Sequence, residues 1–186
     1  MIIETERLLL RPWDKDDAQD LYLCARDPAI GPPCGWAPHT SLQESETVLA
    51  QVLCVPETYA IVPKEWGRPV GCVSVMQPPR MAVPQGKAQA EIGYWLGVPF
   101  WGRGFVPEAV RALLRHCFED LGCDSVWCGY YEGNEKSRRV QEKCGFVYDH
   151  TEENKLCSQL EETRTEHCTR LSREKWAQDL AAALQR

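Results

Sequence analysis

The sequence predicts a layered α/β fold, one domain over residues 1–186 built on a mostly antiparallel sheet. Three observations carry this. Short β-rich runs and amphipathic stripes follow one another in the order β-α-α-β-β-β-α-β-α-β-β. Two of the runs, 58–63 and 69–76, flank Lys64-Glu65-Trp66-Gly67-Arg68, which suits a hairpin turn. Finally, 186 residues at 44% hydrophobic and 26% charged content suit one domain large enough to bury a core.

The elements follow from the residues. "RLLLRP" (7–12) reads as a strand. Asp14, with Asp17 three residues on, caps a helix whose face is Ala18, Leu21, Tyr22 and Ala25, and Asp27-Pro28 ends it. "GPPCGWAP" (31–38) reads as a stiff loop. Ser41-x-x-Glu44 is a capping box for a second helix with Leu42, Val48, Leu49, Val52 and Leu53 as its stripe. Strands follow at "TYAIVP" (58–63) and "PVGCVSVM" (69–76), then a Pro/Gly loop at 77–87 and a strand at 88–98. Val106, Val110, Leu113, Leu114, Cys117, Phe118 and Leu121 recur at helical spacing, with Pro107 in the first turn and Gly122 past the end. "SVWCGYY" (125–131) is a strand, and Asn134 caps a short helix closed by Gly145. "FVYDH" and "EHCTRL" are the last strands, joined by the polar stretch 151–164, and "SREKWAQDLAAAL" is a terminal helix.

Composition excludes several classes. A net charge of −6 argues against a nucleic-acid binder that relies on a basic surface. No apolar run approaches a membrane span, and the acidic amino terminus does not resemble a signal peptide, so the expected location is the cytoplasm, with no membrane partner. The ten cysteines contain no C-x-x-C pair, and the four histidines make no H-x-x-x-H. No metal is expected, and the cysteines read as reduced, buried, small hydrophobes.

The chemistry concentrates at "YWLGVPFWGRGFVPEAV" (94–110), a strand turning through Gly102 and Gly104 into a helix. Helix amino termini leave unpaired N–H groups and carry partial positive charge. Glycines let several such amides converge on one anion, normally a phosphate, and Arg103 adds a full charge. The third glycine of the dinucleotide-binding fingerprint and the Gly-Lys-Ser/Thr of the P-loop are both absent. Two glycines are also what a tight strand-to-helix turn needs, with no ligand at all.

A second constellation, "NEKSRRVQEKCGF" (134–146), follows the next strand. Together with "EIGYWL", "PFWGRGFVPEA", "TERLLLRPW" and "TRLSREKW", it resembles the GNAT superfamily of acyl-CoA N-acyltransferases. The resemblance is to the branch that acetylates ribosomal-protein alanine and serine amino termini and related amines, and it spans nearly the whole chain in order. It implies a sheet of about seven strands, splayed between the strands at 88–98 and 125–131. It implies acetyl-CoA as co-substrate, with its pantetheine arm in the splay against the backbone of Leu96, Gly97 and Val98. The diphosphate would lie on Gly102, Arg103, Gly104, Phe105 and Val106, with Asn134 and Ser137 near the pantetheine and sulfur. Trp101 and Val106 depart from the superfamily's usual Gln or Arg and Gly or Ala, and Gln141 stands where many members have a tyrosine acid.

On that resemblance, Glu91 is the candidate base through water, or else a solvated or ion-paired strand residue. Ser137 is the candidate group at the leaving thiolate, or else a helix-capping residue, with Tyr130 and Tyr131 as alternative donors. Trp36, His39, Glu152 and Glu153 are candidates for the acceptor surface, with Glu152 and Glu153 otherwise solvated loop residues. The implied function is acetyl transfer to a primary amine: a protein amino terminus, an aminoglycoside-like compound or a small amine, by a monomer or homodimer. A catalytically degenerate acyl-CoA sensor and a nucleotide binder are the competing readings.

Overall fold

The computed structural model describes residues 1–78 and 88–184. Its strands are β1 (Ile3–Glu4), β2 (Leu8–Pro12), β3 (Thr58–Pro63), β4 (Gly71–Met76), β5 (Gln89–Leu96), β6 (Ser125–Tyr131), β7 (Val147–Cys157) and β8 (Glu162–Ser172). They form one sheet in the order β1-β2-β3-β4-β5-β6-β8-β7. Only β5 and β6 pair in parallel; the other neighbours are antiparallel. The helices are α1 (Ala18–Ala25), α2 (Gly31–Cys34), α3 (Leu42–Val48), α4 (Phe105–Glu119), α5 (Glu135–Lys143) and α6 (Arg173–Leu184). The mixed, mostly antiparallel layered architecture is the one expected, with eight strands in place of about seven.

The differences have local causes. The extra strand, β1, is a two-residue piece pairing Ile3 with Leu10, too short to show a period. β7 and β8 run well into the stretch expected as a connection, with ladder pairs from Val147↔Arg170 to Cys157↔Glu162 and two irregularities. Both faces of this hairpin are polar, so no alternation marks it; Lys155 between Glu152 and Glu166 ties it across the strands. The stretch expected as a stiff loop contains the short helix α2, closed by Gly35 at φ 90°. Ser41 caps α3 through Glu44 N, while the Glu44 carboxylate accepts from the backbone and hydroxyl of Thr40. A π-turn over Leu49–Leu53 then leaves Val52 exposed, so it drops out of the expected stripe. Cys34 and Cys54 are exposed, whereas seven of the ten free thiols are buried. The expected loop at 77–87 lies, from 79 on, outside the described residues.

Two cores cover the two faces of the sheet. On one, Val106, Val110, Leu113 and Leu114 of α4 bury against Leu10, Ile61, Val73 and Ile92. On the other, Leu21 and Leu49 bury against Trp13, Ala60 and Cys72. Successive strand residues alternate between these faces, so β5 sends Ile92, Tyr94 and Leu96 toward α4, and Glu91, Gly93 and Trp95 the other way. Among the described residues, no helix is long and apolar enough to cross a membrane.

Candidate active site

The sheet opens between β5 and β6. Their parallel ladder holds only Gln89↔Ser125, Ala90↔Val126 and Glu91↔Trp127, after which the strands part. A cleft of about 1540 Å³ fills the gap. Its walls include Tyr94, Cys128 and Ser137 as well as Glu91, Trp95 and Glu166, residues of both sheet faces, so the cleft passes through the sheet.

Beside the α4 face of this gap lies the glycine turn. Gly102 (φ 76°) and Gly104 (φ 78°) are both left-handed, a conformation that favours glycine, and Gly104 is the N-cap of α4 without a side-chain cap. Among the described residues, no acceptor meets the amides of Gly102 to Val106. The turn is braced from outside. Glu108 accepts from Thr5 Oγ1 (2.6 Å), Arg7 N (2.9 Å) and Arg7 Nε (2.7 Å), and Arg7 Nη1 donates to Arg103 O (2.9 Å). The Arg103 guanidinium, expected at the anion, instead lies 5.0 Å from the centre of the Trp66 ring. Three cations that line the cleft come from α5, Lys136, Arg139 and Lys143, with Lys136 Nζ 3.6 Å from the centre of the Trp101 ring, and Arg164 of β8 lines it too. The i, i+3, i+7 spacing of the three on α5 was present in the sequence as a signal. Val106 is 8% exposed, packs within the core and also borders the cleft.

The backbone of β5 sorts itself by register. Gly97 N donates to Val70 O (2.8 Å), so Gly97 N and the polar groups of 95 and 93 face β4 and those of Tyr94 and Leu96 face the gap. Gly97 O and Val98 O are bonded to Phe100 N and Trp101 N. Of the expected residues Leu96, Gly97 and Val98, Leu96 thus presents its backbone to the gap, as does Tyr94, while Gly97 N is taken up by β4. Trp101 Nε1 donates to Leu96 O (2.7 Å), which gives the branch's tryptophan a fixed place.

On the first turn of α5, Ser137 stands in a network that the sequence did not show. Tyr94 Oη lies 2.9 Å from Ser137 Oγ and 3.1 Å from its carbonyl oxygen. Gln141 Nε2 donates to Ser137 Oγ (3.2 Å) and to Gly129 O (3.0 Å), while its Oε1 accepts from Thr169 Oγ1 (2.7 Å). Burial pushes the Tyr94 phenol well above its ordinary pKa, so it stays a donor. Gln141 Nε2 donates to Ser137 Oγ, and the single Tyr94 phenol proton can serve either the hydroxyl or the carbonyl oxygen of Ser137. Gln141, 1% exposed, ties α5 to β6 and β8 rather than facing the cleft. Gln141→Leu leaves buried partners unmatched, which costs about 1–3 kcal/mol. The expected result is a thermal midpoint lower by several degrees; an unchanged midpoint would show that these bonds contribute nothing.

The remaining candidates fall into two groups. Glu91 is 6% exposed and lines the cleft at the last ladder pair before the strands part. Asn134 Oδ1 accepts from Ser137 N (3.2 Å) and its Nδ2 donates to Pro33 O (3.3 Å), so it caps α5 and anchors α2 together. Trp36 lines the cleft, as do Tyr130 and Tyr131. His39 is 8% exposed, its Nδ1 2.7 Å from Ser45 Oγ, and burial lowers its pKa; neither it nor Glu152 nor Glu153 lines the cleft.

Residues 7–147 match the family model described as an acetyltransferase (GNAT) domain. The chain belongs to the GNAT acetyltransferase family. Acetyl transfer is accordingly its class of reaction. YoaA of Bacillus subtilis, named as an uncharacterized N-acetyltransferase, is 26% identical over 78% of this GNAT chain and 82% of its own. YdaF of the same organism is 44% identical over 59 residues, which span only 32% of either chain. Among solved structures, a GNAT-family acetyltransferase from Bacillus anthracis superposes with a TM-score of 0.79 at 19% identity, covering 94% of this chain and 99% of that one. The ribosomal-protein-S5-alanine acetyltransferase of Vibrio fischeri gives 0.72 at 19% identity, over 95% and 98%. These two likenesses concern the fold alone.

Proposed function

We propose that this chain transfers an acetyl group from acetyl-CoA to a primary amine by direct attack of the amine on the thioester. The observation that carries the reading is the gap between β5 and β6, with an uncapped glycine turn beside its α4 face. The residues present suit coenzyme A. Amides of Gly102 to Val106 without acceptors fit a diphosphate, the α5 cations Lys136, Arg139 and Lys143 fit further phosphate, and Tyr94 and Leu96 offer strand-like backbone to the amides of a pantetheine arm. When bound, the coenzyme supplies an activated acyl thioester.

The chain's residues do the rest. The N–H groups of Tyr94 and Leu96 face the gap and orient the thioester carbonyl. Glu91, on the opposite face, takes a proton from the amine through water, because amines are mostly protonated at neutral pH. Ser137 donates its hydroxyl proton in a hydrogen bond to the sulfur as negative charge develops there, with Tyr94 and Gln141 holding its oxygen. Gln141 does not argue for a degenerate sensor, since it fastens α5 to the sheet.

The test is amine-dependent release of free thiol from acetyl-CoA. Ser137→Ala is expected to lower kcat by about 10–100-fold, as loss of a donor at developing charge does, while acetyl-CoA affinity stays within about twofold. Tyr94→Phe is expected to lower kcat by about tenfold, and the double variant to be no slower than Ser137→Ala, because Tyr94 acts through Ser137. An unaltered kcat in Ser137→Ala would return Ser137 to helix capping.

A further inference from the structure

The outer hairpin of the sheet gathers metal-binding side chains that acetyl transfer does not use. His150 and Glu152 lie on β7 and Cys168 on β8, with His150 opposite Cys168 in the ladder. One ligand atom from each, an imidazole nitrogen, a carboxylate oxygen and the thiol sulfur, all lie within 4.8 Å of one another. Two irregularities bracket the trio, one between Tyr148 and His150 and one between Glu152 and Lys155. Bulges of this kind re-aim side chains. The first lets Asp149 reach the ring of its own neighbour, His150, which in a regular strand would point to the other face.

Each of the three is held in a form that suits a ligand. Asp149 Oδ2 lies 2.8 Å from His150 Nδ1. A carboxylate only accepts, so Nδ1 carries the proton and Nε2 keeps a lone pair. Metal-binding histidines are oriented in this way, by giving their other N–H to a carboxylate. His150 Nε2 lies 3.8 Å from Glu152 Oε1. That is too long for a hydrogen bond, and close to the spacing of about 3.3–3.6 Å between two ligands of one tetrahedral zinc. Lys155 Nζ holds the other oxygen, Glu152 Oε2, at 2.7 Å and keeps this carboxyl below its ordinary pKa, so it stays an anion. Cys168 is 0% exposed and packs with Trp127, whose ring meets the His150 ring edge on at 6.0 Å. Burial pushes the Cys168 thiol up to about 12, so its proton must leave to solvent when a metal takes its place.

The surrounding charge favours a cation. Glu152 stands opposite Glu166 in the ladder, a pairing of like charges. With Asp149 there are three carboxylates against Lys155, which pairs with Glu152 and Glu166, while the Arg170 guanidinium is turned to Trp127, 5.6 Å from its ring centre. A divalent ion that takes up one thiolate adds a single net positive charge. Nitrogen, oxygen and sulfur donors together suit zinc, whereas magnesium and calcium take oxygen alone. The side chains of His150 and Glu152 are 35% and 31% exposed, which gives an ion a way in and leaves the fourth position to water.

We propose that His150, Glu152 and Cys168 bind one zinc ion, with Asp149 orienting the histidine. None of the three lines the acetyl-transfer cleft, so the site is separate from it. The ion bolts β7 to β8, the hairpin that also carries Arg164 and Cys157, which hold the backbone of Pro32 and Gly35. The test titrates the full chain, stripped of metal and kept reduced by a phosphine, with Co²⁺ and then Zn²⁺. One Co²⁺ is expected per chain, with thiolate-to-cobalt charge-transfer absorption that disappears as zinc displaces it. Cys168→Ser is expected to abolish that absorption, whereas Cys54→Ser, at an exposed thiol elsewhere, leaves it unchanged. Asp149→Ala is expected to weaken zinc binding by about 10–100-fold, and His150→Ala by more. No thiolate absorption, or absorption that survives in Cys168→Ser, overturns the proposal. If the buried Cys168→Ser does not fold, the partly exposed His150→Ala decides, and an unchanged zinc affinity there overturns it equally.

Discussion

Gly104→Asp is expected to raise the dissociation constant for acetyl-CoA by about a hundredfold or more, while Gly104→Asn raises it far less. The pair is chosen for its backbone. Position 104 has φ 78°, and asparagine and aspartate are the two side chains that visit this region most readily. Strain is therefore nearly common to both, and what separates them is one negative charge beside the amides proposed to receive a diphosphate. Two unit charges 4 Å apart repel by about 4 kcal/mol at an effective dielectric constant of 20, and a hundredfold loss needs only about 2.7 kcal/mol. Arg7 Nη2 lies 3.4 Å from where the new Cβ would be, but Arg7 is already paired with Glu108 at 2.6 Å, so it compensates little. Calorimetric titration decides the matter. Equal affinities for the two variants would place the diphosphate away from this turn.

How far the sequence reached depends on whether a feature is written in neighbouring residues. Thr58–Pro63 and Ser125–Tyr131 are continuous β-prone runs, and their bounds came out as expected. α4 carries its own stripe, its Pro107 and its glycine turn, all local signals. The far ends of β7 and β8 carry none, because neither face is buried enough to impose a period. The site divides in the same way. Glycines 102 and 104 were legible because backbone freedom is a property of the residue itself. Tyr94 at Ser137 was not, since the contact joins residues 43 apart that only the fold brings together. The place of the Arg103 side chain was not legible for a related reason: its charge was visible, but Trp66, beside which it lies, belongs to another loop. That Tyr94 and Leu96 turn their backbone toward the gap while Gly97 N turns to β4 needed the register of β4 against β5, which no single strand contains.

Glu91→Gln is expected to lower kcat/KM by about a hundredfold below neutral pH, with the loss shrinking as pH approaches the pKa of the acceptor amine. A positioned general base contributes about 10²–10⁴ in rate, and its help matters most where the neutral amine is scarce. As pH rises, more amine arrives already deprotonated, and both enzymes converge. The sign of this trend distinguishes the roles open to a buried carboxylate. A residue that only binds the ammonium would, when neutralised, raise KM at low pH and leave kcat alone. One that only supports the strand would lower stability and leave the pH profile parallel to that of the wild type. Its place favours the first of these three roles: it sits at the final ladder pair, where β5 and β6 begin to part, on the face opposite Ser137. A proton leaving the amine on one side and a hydroxyl meeting the sulfur on the other keeps the two transfers from competing for one group. A rate gap that is constant from acid to alkaline pH would remove Glu91 from the proton path.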